Sequence, residues 1–331
     1  MFDLNLAPAA MPVIAALLAA SAIAALLRWR AHLPLATRNA RSLHTAPIPR
    51  IGGVAIFAGF LPIACVAPAT GALAIGVWGV PWLLLAGVSL RDDMRGVAIV
   101  PRLSIHALAS AWFAVAVAAM APTAVPIMFI VLAALVVAWS LNLYNFMDGN
   151  DGLAALMTVI GFASYGVVLL DAAIAPTLPW ALAAATVPVL VVNWPPARMF
   201  LGDVGAVPLG FLAAALGIGG VIDDAWPAWF PVLVFLPFIA DATVTLARRA
   251  LRGERVWEGH KTHYYQRLHQ LGAGHGGTLA VYGALMLGTA ATAAGCACFK
   301  PEWGVPALAA WCLACALLFA AIDYHWRRVA T

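Results

Sequence analysis

The sequence predicts an all-α polytopic membrane protein. Of its 331 residues, 64% are hydrophobic and only 10% are charged, and its mean hydropathy is +0.94. A soluble domain has about 25% charged residues, whereas a membrane-spanning helix needs roughly 20 mostly apolar residues. Apolar stretches of that length follow one another along the chain. We therefore expect a single integral-membrane domain over residues 1–331.

The apolar stretches predict about eleven transmembrane helices. They lie near residues 8–27, 51–68, 71–90, 103–121, 124–143, 153–170, 177–194, 204–222, 226–247, 277–297 and 303–325. Arg28 and Arg30 follow the first stretch, whereas a cleaved signal peptide has its positive charges before its apolar core. We therefore expect the first helix to be retained, with its N-terminus outside.

The basic residues predict the orientation of these helices. With eleven spans, 17 of the 18 lysines and arginines fall on one side of the membrane, and Lys300 is the exception. Cytoplasmic loops are enriched in Lys and Arg. We therefore expect a cytoplasmic C-terminus. These loops also account for the net charge of +4, which indicates contact with anionic lipid headgroups rather than nucleic-acid binding.

The most informative polar segment covers residues 142–153, between two apolar stretches. Polar groups at a membrane edge are costly, so a dense cluster there favours a ligand site over a capped helix end and turn. Aspartates three residues apart face the same way on a helix. The polar side chains of this segment are Asn142, Asn145, Asp148 and Asp151.

Further carboxylates lie at or near the predicted cytoplasmic side. Asp92 and Asp93 are adjacent and flanked by arginines. Because neighbouring carboxylates repel each other, they indicate either a Mg²⁺ site or a pair neutralised by those arginines. Asp203 lies between two glycines, which suits a carboxylate presented to a metal. Asp241 lies inside the ninth predicted span, where we expect it to pair with a basic residue or to support the metal site.

Basic and aromatic groups complete the set. Arg50 precedes the second span, where it would hold a phosphate or anchor the helix at the headgroups. His260, Lys261 and His263 lie in the most basic loop. The HxxH spacing can bind zinc, but without a third nitrogen or sulfur ligand nearby it favours a diphosphate site over zinc, with a solvated loop as the alternative. Phe200 would stack on a base or anchor its loop.

Taken in order, these segments resemble the motifs of the polyprenyl-phosphate N-acetylhexosamine-1-phosphate transferases, in glycosyltransferase family 4. The matching stretches are PIPRIGG, the Asp-Asp pair, NLYNFMDGNDGL, the FLGDVG stretch with Asn193 before it, and HKTHYYQRL. The resemblance implies a phosphotransferase, a glycosyl-1-phosphate transferase, that moves HexNAc-1-phosphate from a UDP-sugar to undecaprenyl phosphate and releases UMP. It implies Mg²⁺, or Mn²⁺ in its place, and an active site facing the cytoplasm from the bacterial inner membrane. A homodimer is a further expectation from the resemblance.

The resemblance further implies roles for single residues. The catalytic residues would be Asp92, Asp93, Asp203 and His263, with the metal held by Asp203 and Asp93. The nucleotide-sugar would be bound by Asn142, Asn145, Asp148, Asp151, Asn193 and Phe200, with Phe200 stacked on the uracil. Arg50, His260 and Lys261 would bind phosphate.

The chain departs from some branches of this family. The murein-precursor enzymes have a lysine shortly after the Asp-Asp pair, where this chain has Arg95 nearby, and they have a triple histidine. The His-Lys-Thr-His-Tyr-Tyr-Gln pattern is more similar to the O-antigen initiators, which implies a sugar such as FucNAc or QuiNAc. The competing hypothesis is a secondary transporter, which would use ionisable residues near the bilayer midplane. Only Asp241 qualifies for that role.

Overall fold

The computed structural model describes residues 10–29, 48–67, 71–120, 125–170, 176–256 and 259–329. This part of the chain is helical apart from short connections, as predicted. Arg30 and residues 42–47 of the segment before the second span lie outside the described residues. The helices are α1 (Ala10–Arg28), α2 (Gly52–Val66), α3 (Ile75–Arg95), α4 (Ile99–Ala118), α5 (Ile127–Met147), α6 (Leu153–Leu169), α7 (Thr177–Asn193), α8 (Asp203–Ile222), α9 (Trp229–Val234), α10 (Leu236–Leu251), α11 (Tyr264–Leu268), α12 (Gly274–Phe299) and α13 (Gly304–Val329).

Seven helical segments among the described residues are long and apolar enough to cross a membrane. They are Ala10–Arg28, Gly71–Arg95, Ile99–Ala118, Ile127–Met147, Asp203–Ile222, Tyr264–Phe299 and Pro301–Arg328. The helices α2, α6 and α7 are also apolar but shorter. Large apolar side chains face outward from several of these helices, as lipid contact requires; Leu108 on α4 is 67% exposed. The chain is therefore a polytopic membrane protein.

The ninth predicted span, residues 226–247, is not one continuous helix. Helix α9 ends at Val234, helix α10 begins at Leu236, and Phe235 between them has φ −95° and ψ 12°. Pro237 in the first turn of α10 has no N–H to bond back into α9, so the backbone hydrogen bonding from one helix to the next is interrupted there. The prediction of one helix over residues 226–247 is therefore wrong, because the segment consists of two helices.

Helix α8 is central, and almost all of its side chains are buried. Helices α3 and α5 pack along α8, while α1, α2 and α7 form a neighbouring group. Small residues permit these close contacts: Gly210 of α8 lies directly against the backbone of Ser140 and Leu141 in α5. Through this packing, the ends of α2, α3 and α8 that carry the motifs meet at one place.

Candidate active site

The segments that precede α2 and α8 pair with each other. The N–H of Phe200 donates to the carbonyl of Pro49 at 2.8 Å, and the N–H of Gly52 donates back to the carbonyl of Phe200 at 2.9 Å. This short parallel bridge fixes the starts of both helices relative to each other. It places Arg50 beside Asp203, although 153 residues separate them in the chain.

Two predicted catalytic carboxylates meet at this junction. Asp203 is the first residue of α8, and Asp93 lies near the end of α3. The carboxylate of Asp93 accepts the N–H of Val204 at 2.8 Å, within the first turn of α8. A terminal nitrogen of Arg50 lies 3.2 Å from the Asp203 carboxylate and 3.8 Å from that of Asp93. We call Asp93, Asp203 and Arg50 the carboxylate centre.

Asp92 has different partners from Asp93. Its carboxylate accepts the N–H of Val97 at 2.7 Å and a hydrogen bond from Arg102 at 2.6 Å. The same Arg102 nitrogen lies 3.7 Å from Asp203. Asp92 therefore orients Arg102, which extends the carboxylate centre from α4.

The donor chemistry of the carboxylate centre fits a divalent cation. Mg²⁺ usually binds one or two protein carboxylates and completes its octahedron with phosphate oxygens and water. Within the described parts of the chain, no three His, Cys, Asp or Glu side chains form a ready metal site. A cation held by Asp93 and Asp203 would therefore take its other ligands from a bound phosphate and from water.

Asp148, directly after α5, lies in the field of the same centre. Burial raises the pKa of its carboxyl well above the usual range, and the nearby carboxylates of Asp203, Asp93 and Asp151 raise that pKa further. Arg50 opposes this rise. The region is therefore rich in negative charge that a cation would offset.

Asn193 and Asp151 join the loop after α5 to the loop after α7. Both side chains are almost fully buried. The side-chain oxygen of Asn193 accepts the N–H of Gly152 at 2.9 Å, and its NH₂ donates to the carbonyl of Met199 at 2.8 Å. The Asp151 carboxylate accepts the N–H of Ala197 at 3.0 Å. The structure thus shows both residues shaping these loops, and direct contact with a nucleotide stays a prediction.

The other predicted nucleotide-binding residues lie around these loops. Asn142 donates to the carbonyl of Ala138 within α5 at 2.7 Å. Asn145 lies three residues further along α5, on the same side of the helix, and is partly exposed. Phe200 is also partly exposed, and it pairs with Arg50 in the short parallel bridge. Their contact with a nucleotide is a prediction that these positions allow.

The histidine segment packs against the end of α5. The ring of His263 stacks on Phe146 and on His260, with ring centroids 6.0 Å and 4.7 Å apart. The hydroxyl of Tyr265 donates to the carbonyl of Phe146 at 2.9 Å. Lys261 follows His260 and is partly exposed. The motifs NLYNFMDGNDGL and HKTHYYQRL are therefore in direct contact.

Asp241 in α10 is fully buried beneath this segment. Its carboxylate accepts the N–H groups of Tyr264 and Tyr265, both at 2.9 Å, and the hydroxyl of Tyr282. Nδ1 of His263 lies 3.2 Å from it. If that nitrogen carries the proton, Nε2 is left to contact a ligand. Among the described contacts Asp241 acts as a positioning residue for the histidine segment.

Sequence reasoning missed three residues of this region: Arg102, Tyr265 and His275. His275 accepts the N–H of Asp151 at 3.2 Å through Nδ1, and its carbonyl accepts the amide of Asn150 at 3.2 Å. Arg102 and His275 lie in or beside apolar stretches with no motif spacing of their own, and Tyr265 lies inside the HKTHYYQRL stretch, where it was given no role. Only the packing of helices distant in sequence reveals them.

Comparison with known proteins supports the family resemblance that the motifs indicate. Residues 75–221 match the family model described as "Glycosyl transferase family 4". This stretch includes α3 to α8 and thus the aspartates of the carboxylate centre.

Three relatives illustrate the similarity. A "Probable undecaprenyl-phosphate N-acetylglucosaminyl 1-phosphate transferase" of Bacillus subtilis is 30% identical over 138 residues, which is 40% of this chain and 38% of that protein. A "Decaprenyl-phosphate N-acetylglucosaminephosphotransferase" of Mycobacterium tuberculosis is 27% identical over 71% of this chain and 69% of its own length. A Streptomyces coelicolor protein named only as a glycosyltransferase is 30% identical over 86% of this chain and 69% of its own.

The match to the Streptomyces protein extends over most of both chains, and the family model covers the helices that carry Asp93 and Asp203. The chain belongs to glycosyl transferase family 4 and is a membrane-embedded transferase enzyme.

Proposed function

We propose that this enzyme transfers a HexNAc-1-phosphate from a UDP-sugar to undecaprenyl phosphate and releases UMP. The observation that carries the proposal is the meeting of Asp93, Asp203 and Arg50 at the ends of three apolar helices. Relatives with matching sequence are named for transfer to undecaprenyl or decaprenyl phosphate. The product would be the first lipid-linked intermediate of an O-antigen or another cell-envelope polysaccharide.

Charge is the main obstacle to this reaction because both reactants are anions. The second pKa of a phosphate monoester is about 6, so the lipid phosphate is largely ionised near neutral pH without a dedicated base. Positioning and charge neutralisation then supply most of the catalysis. Arg50 and Arg102 bring two guanidinium groups to the site, and Mg²⁺ or Mn²⁺ held by Asp93 and Asp203 would neutralise diphosphate oxygens.

The transfer forms one phosphorus–oxygen bond and breaks another. An oxygen of the lipid phosphate attacks the β-phosphorus of the UDP-sugar. The bond from that phosphorus to the oxygen bridging the two phosphates breaks, and UMP leaves with this oxygen and its electron pair. The sugar remains joined to the lipid through a diphosphate, and His260, Lys261 and His263 would contact this diphosphate.

Asp92 has a positioning role in this proposal. Its carboxylate oxygens already accept hydrogen bonds from Arg102 and from the amide of Val97, which supports orientation of the guanidinium rather than proton abstraction. Phe200 would stack on the uracil beside the loops held by Asn193 and Asp151. The sugar would be an N-acetylhexosamine of the FucNAc or QuiNAc kind.

The proposed topology has eleven crossings in the bacterial inner membrane. The interrupted pair α9 and α10 would form one crossing, and α2, α6 and α7 would add three short ones. The N-terminus would be periplasmic and the C-terminus cytoplasmic, so the carboxylate centre would face the cytoplasm, where nucleotide sugars are made.

A UMP-release assay tests the function. Purified protein with Mg²⁺, undecaprenyl phosphate and UDP-GlcNAc, UDP-FucNAc or UDP-QuiNAc is expected to release UMP only when both the lipid and a suitable sugar are present. Removal of divalent cations with EDTA should stop the reaction, and added Mg²⁺ should restore it. UMP release without the lipid, or no release with any sugar, would contradict the proposal.

The interrupted span and the buried Asp241 are features that a secondary transporter would also have. Asp241 is, however, engaged by backbone amides and by Tyr282, and the remaining carboxylates of the site lie at helix ends. Proteoliposomes without lipid phosphate separate the two functions. A transporter would accumulate a labelled UDP-sugar there, whereas the proposed transferase would not.

A further inference from the structure

A basic pocket lies between the end of α10, helix α11 and the end of α13. Its cavity has a volume of about 460 Å³. The charged residues that line it are Arg248, Arg252, Arg267, Arg327 and Asp323. With four guanidinium groups and one carboxylate, the lining has an excess positive charge of three. None of these residues belongs to the carboxylate centre.

Asp323 neutralises only part of this charge. Its two oxygens pair with Arg248 and, at 2.7 Å, with Arg267. Arg252 reaches the carboxylate of Glu254 only at 3.9 Å, and 62% of its side chain is exposed. Arg267 is 9% exposed, and its buried Nε–H has no hydrogen-bond partner within the described part of the chain. Clustered guanidinium groups of this kind match the oxygens of a phosphate.

Apolar surface adjoins the charged lining. Leu251 is 88% exposed at the pocket, and Trp326 also lines it. Earlier in α13, Leu313 and Leu317 are 61% and 63% exposed. Tryptophan is typical of the headgroup level of a membrane. A soluble phosphate would leave this apolar surface uncovered, whereas a lipid has acyl chains next to its phosphate.

We propose that this pocket binds the phosphodiester headgroup of an anionic membrane lipid, with phosphatidylglycerol as the representative chemistry. The phosphate lies among the guanidinium groups, and the acyl chains follow the exposed face of α13. Basic pockets between transmembrane helices on the cytoplasmic side bind such headgroups in other membrane proteins. The site is separate from the proposed reaction and does not depend on it.

Native mass spectrometry of the full-length protein, equilibrated with equal amounts of phosphatidylglycerol and phosphatidylcholine, tests this proposal. The wild-type protein should retain phosphatidylglycerol preferentially. The double variant Arg252→Gln/Arg327→Gln should lose about tenfold or more of that retention, because it removes two charge-assisted contacts to the phosphate. Both side chains are exposed, so folding should be unaffected.

The matched control is Arg328→Gln. Its guanidinium lies 4.3 Å from the ring centroid of Tyr324 and does not line the pocket, so this variant should retain the lipid like the wild type. Equal retention of both lipids by the wild type, or equal loss in the control and the double variant, would overturn the proposal.

A competition experiment with inorganic phosphate distinguishes a lipid ligand from a soluble phosphate. Millimolar inorganic phosphate should leave the lipid adducts in place. If inorganic phosphate displaces them and binds instead, the ligand is a soluble phosphate and the lipid assignment fails. These readouts measure binding alone, so their failure is distinguishable from a failure of UMP release.

Discussion

Arg102 contacts both Asp92 and Asp203, at 2.6 Å and 3.7 Å, and thereby joins α4 to the carboxylate centre. We expect Arg102→Gln to lower kcat about tenfold or more, since a charge-assisted hydrogen bond contributes about 1.5–3 kcal/mol. Arg102→Lys keeps the charge but loses the planar guanidinium, so its kcat should be intermediate. Steady-state UMP release measures both variants.

The control for Arg102 is Arg28→Gln, because Arg28 is exposed at the end of α1. This variant should keep wild-type kcat. A kcat for Arg102→Gln equal to that of Arg28→Gln would show that Arg102 has no part in turnover.

The raised pKa of Asp148 predicts that the stability of the folded protein depends on pH. Its raised pKa means that the folded protein keeps the proton at pH values where the unfolded chain has released it. Stability is therefore lost as pH rises from about 4 towards the folded pKa, and the loss is complete above that pKa. Asp148→Asn stays neutral, so with EDTA present it should unfold at a higher temperature than the wild type near pH 8. That advantage should shrink near pH 4.

Asp224→Asn is the matched control for Asp148→Asn. Asp224 is exposed and has φ 54°, a conformation that asparagine also tolerates. Its unfolding temperature should follow that of the wild type at both pH values. A lower unfolding temperature for Asp148→Asn than for Asp224→Asn near pH 8 would refute the burial argument.

At the scale of helices, the contact between the starts of α2 and α8 sets the geometry of the site. A Cβ on Gly53 would overlap the backbone of Gly205, so Gly53→Ala must push the two helices apart. We expect this variant to separate Arg50 from Asp203 and to lower UMP release about tenfold or more, because small displacements of catalytic groups are costly.

Gly76→Ala in α3 is the matched control for Gly53→Ala. Nothing lies within 4 Å of a Cβ at that position, and alanine usually stabilises a helix relative to glycine by about 0.5–1 kcal/mol. Its activity should equal that of the wild type. Equal activity of the two variants would mean that the α2–α8 contact does not set the site geometry.

The membrane orientation is testable at the scale of the whole molecule. In a background in which serine replaces the five native cysteines, Lys300→Cys should react with a membrane-impermeant maleimide added outside intact cells. Arg252→Cys should react only after the cells are permeabilised, because its loop carries the cytoplasmic excess of arginine. The reverse labelling pattern would invert the proposed topology.

Local properties of the sequence predicted the helical class, the positions of most helices and the residues of the carboxylate centre. The length of each apolar stretch and the residues of each motif can be read from the sequence without knowledge of how the helices pack. The ion pair between Arg102 and Asp203 and the amides around Asp241 depend on how separate helices rotate against one another, which no local pattern contains. The break at Phe235 lies inside a continuous apolar stretch, so hydropathy did not show it, although Pro237 two residues later is a local signal for it.

The central claim is that the sugar travels together with its phosphate. A UDP-HexNAc labelled with ³²P at the β-phosphate tests this claim directly when the purified enzyme, Mg²⁺ and undecaprenyl phosphate are present. We predict that the label enters the lipid fraction in a diphosphate-linked sugar, in equal amount to unlabelled UMP, and that Asp203→Asn forms none of this product. Label that stays in the aqueous phase as UDP would contradict the account, because the bond broken would then be the one from sugar to phosphate.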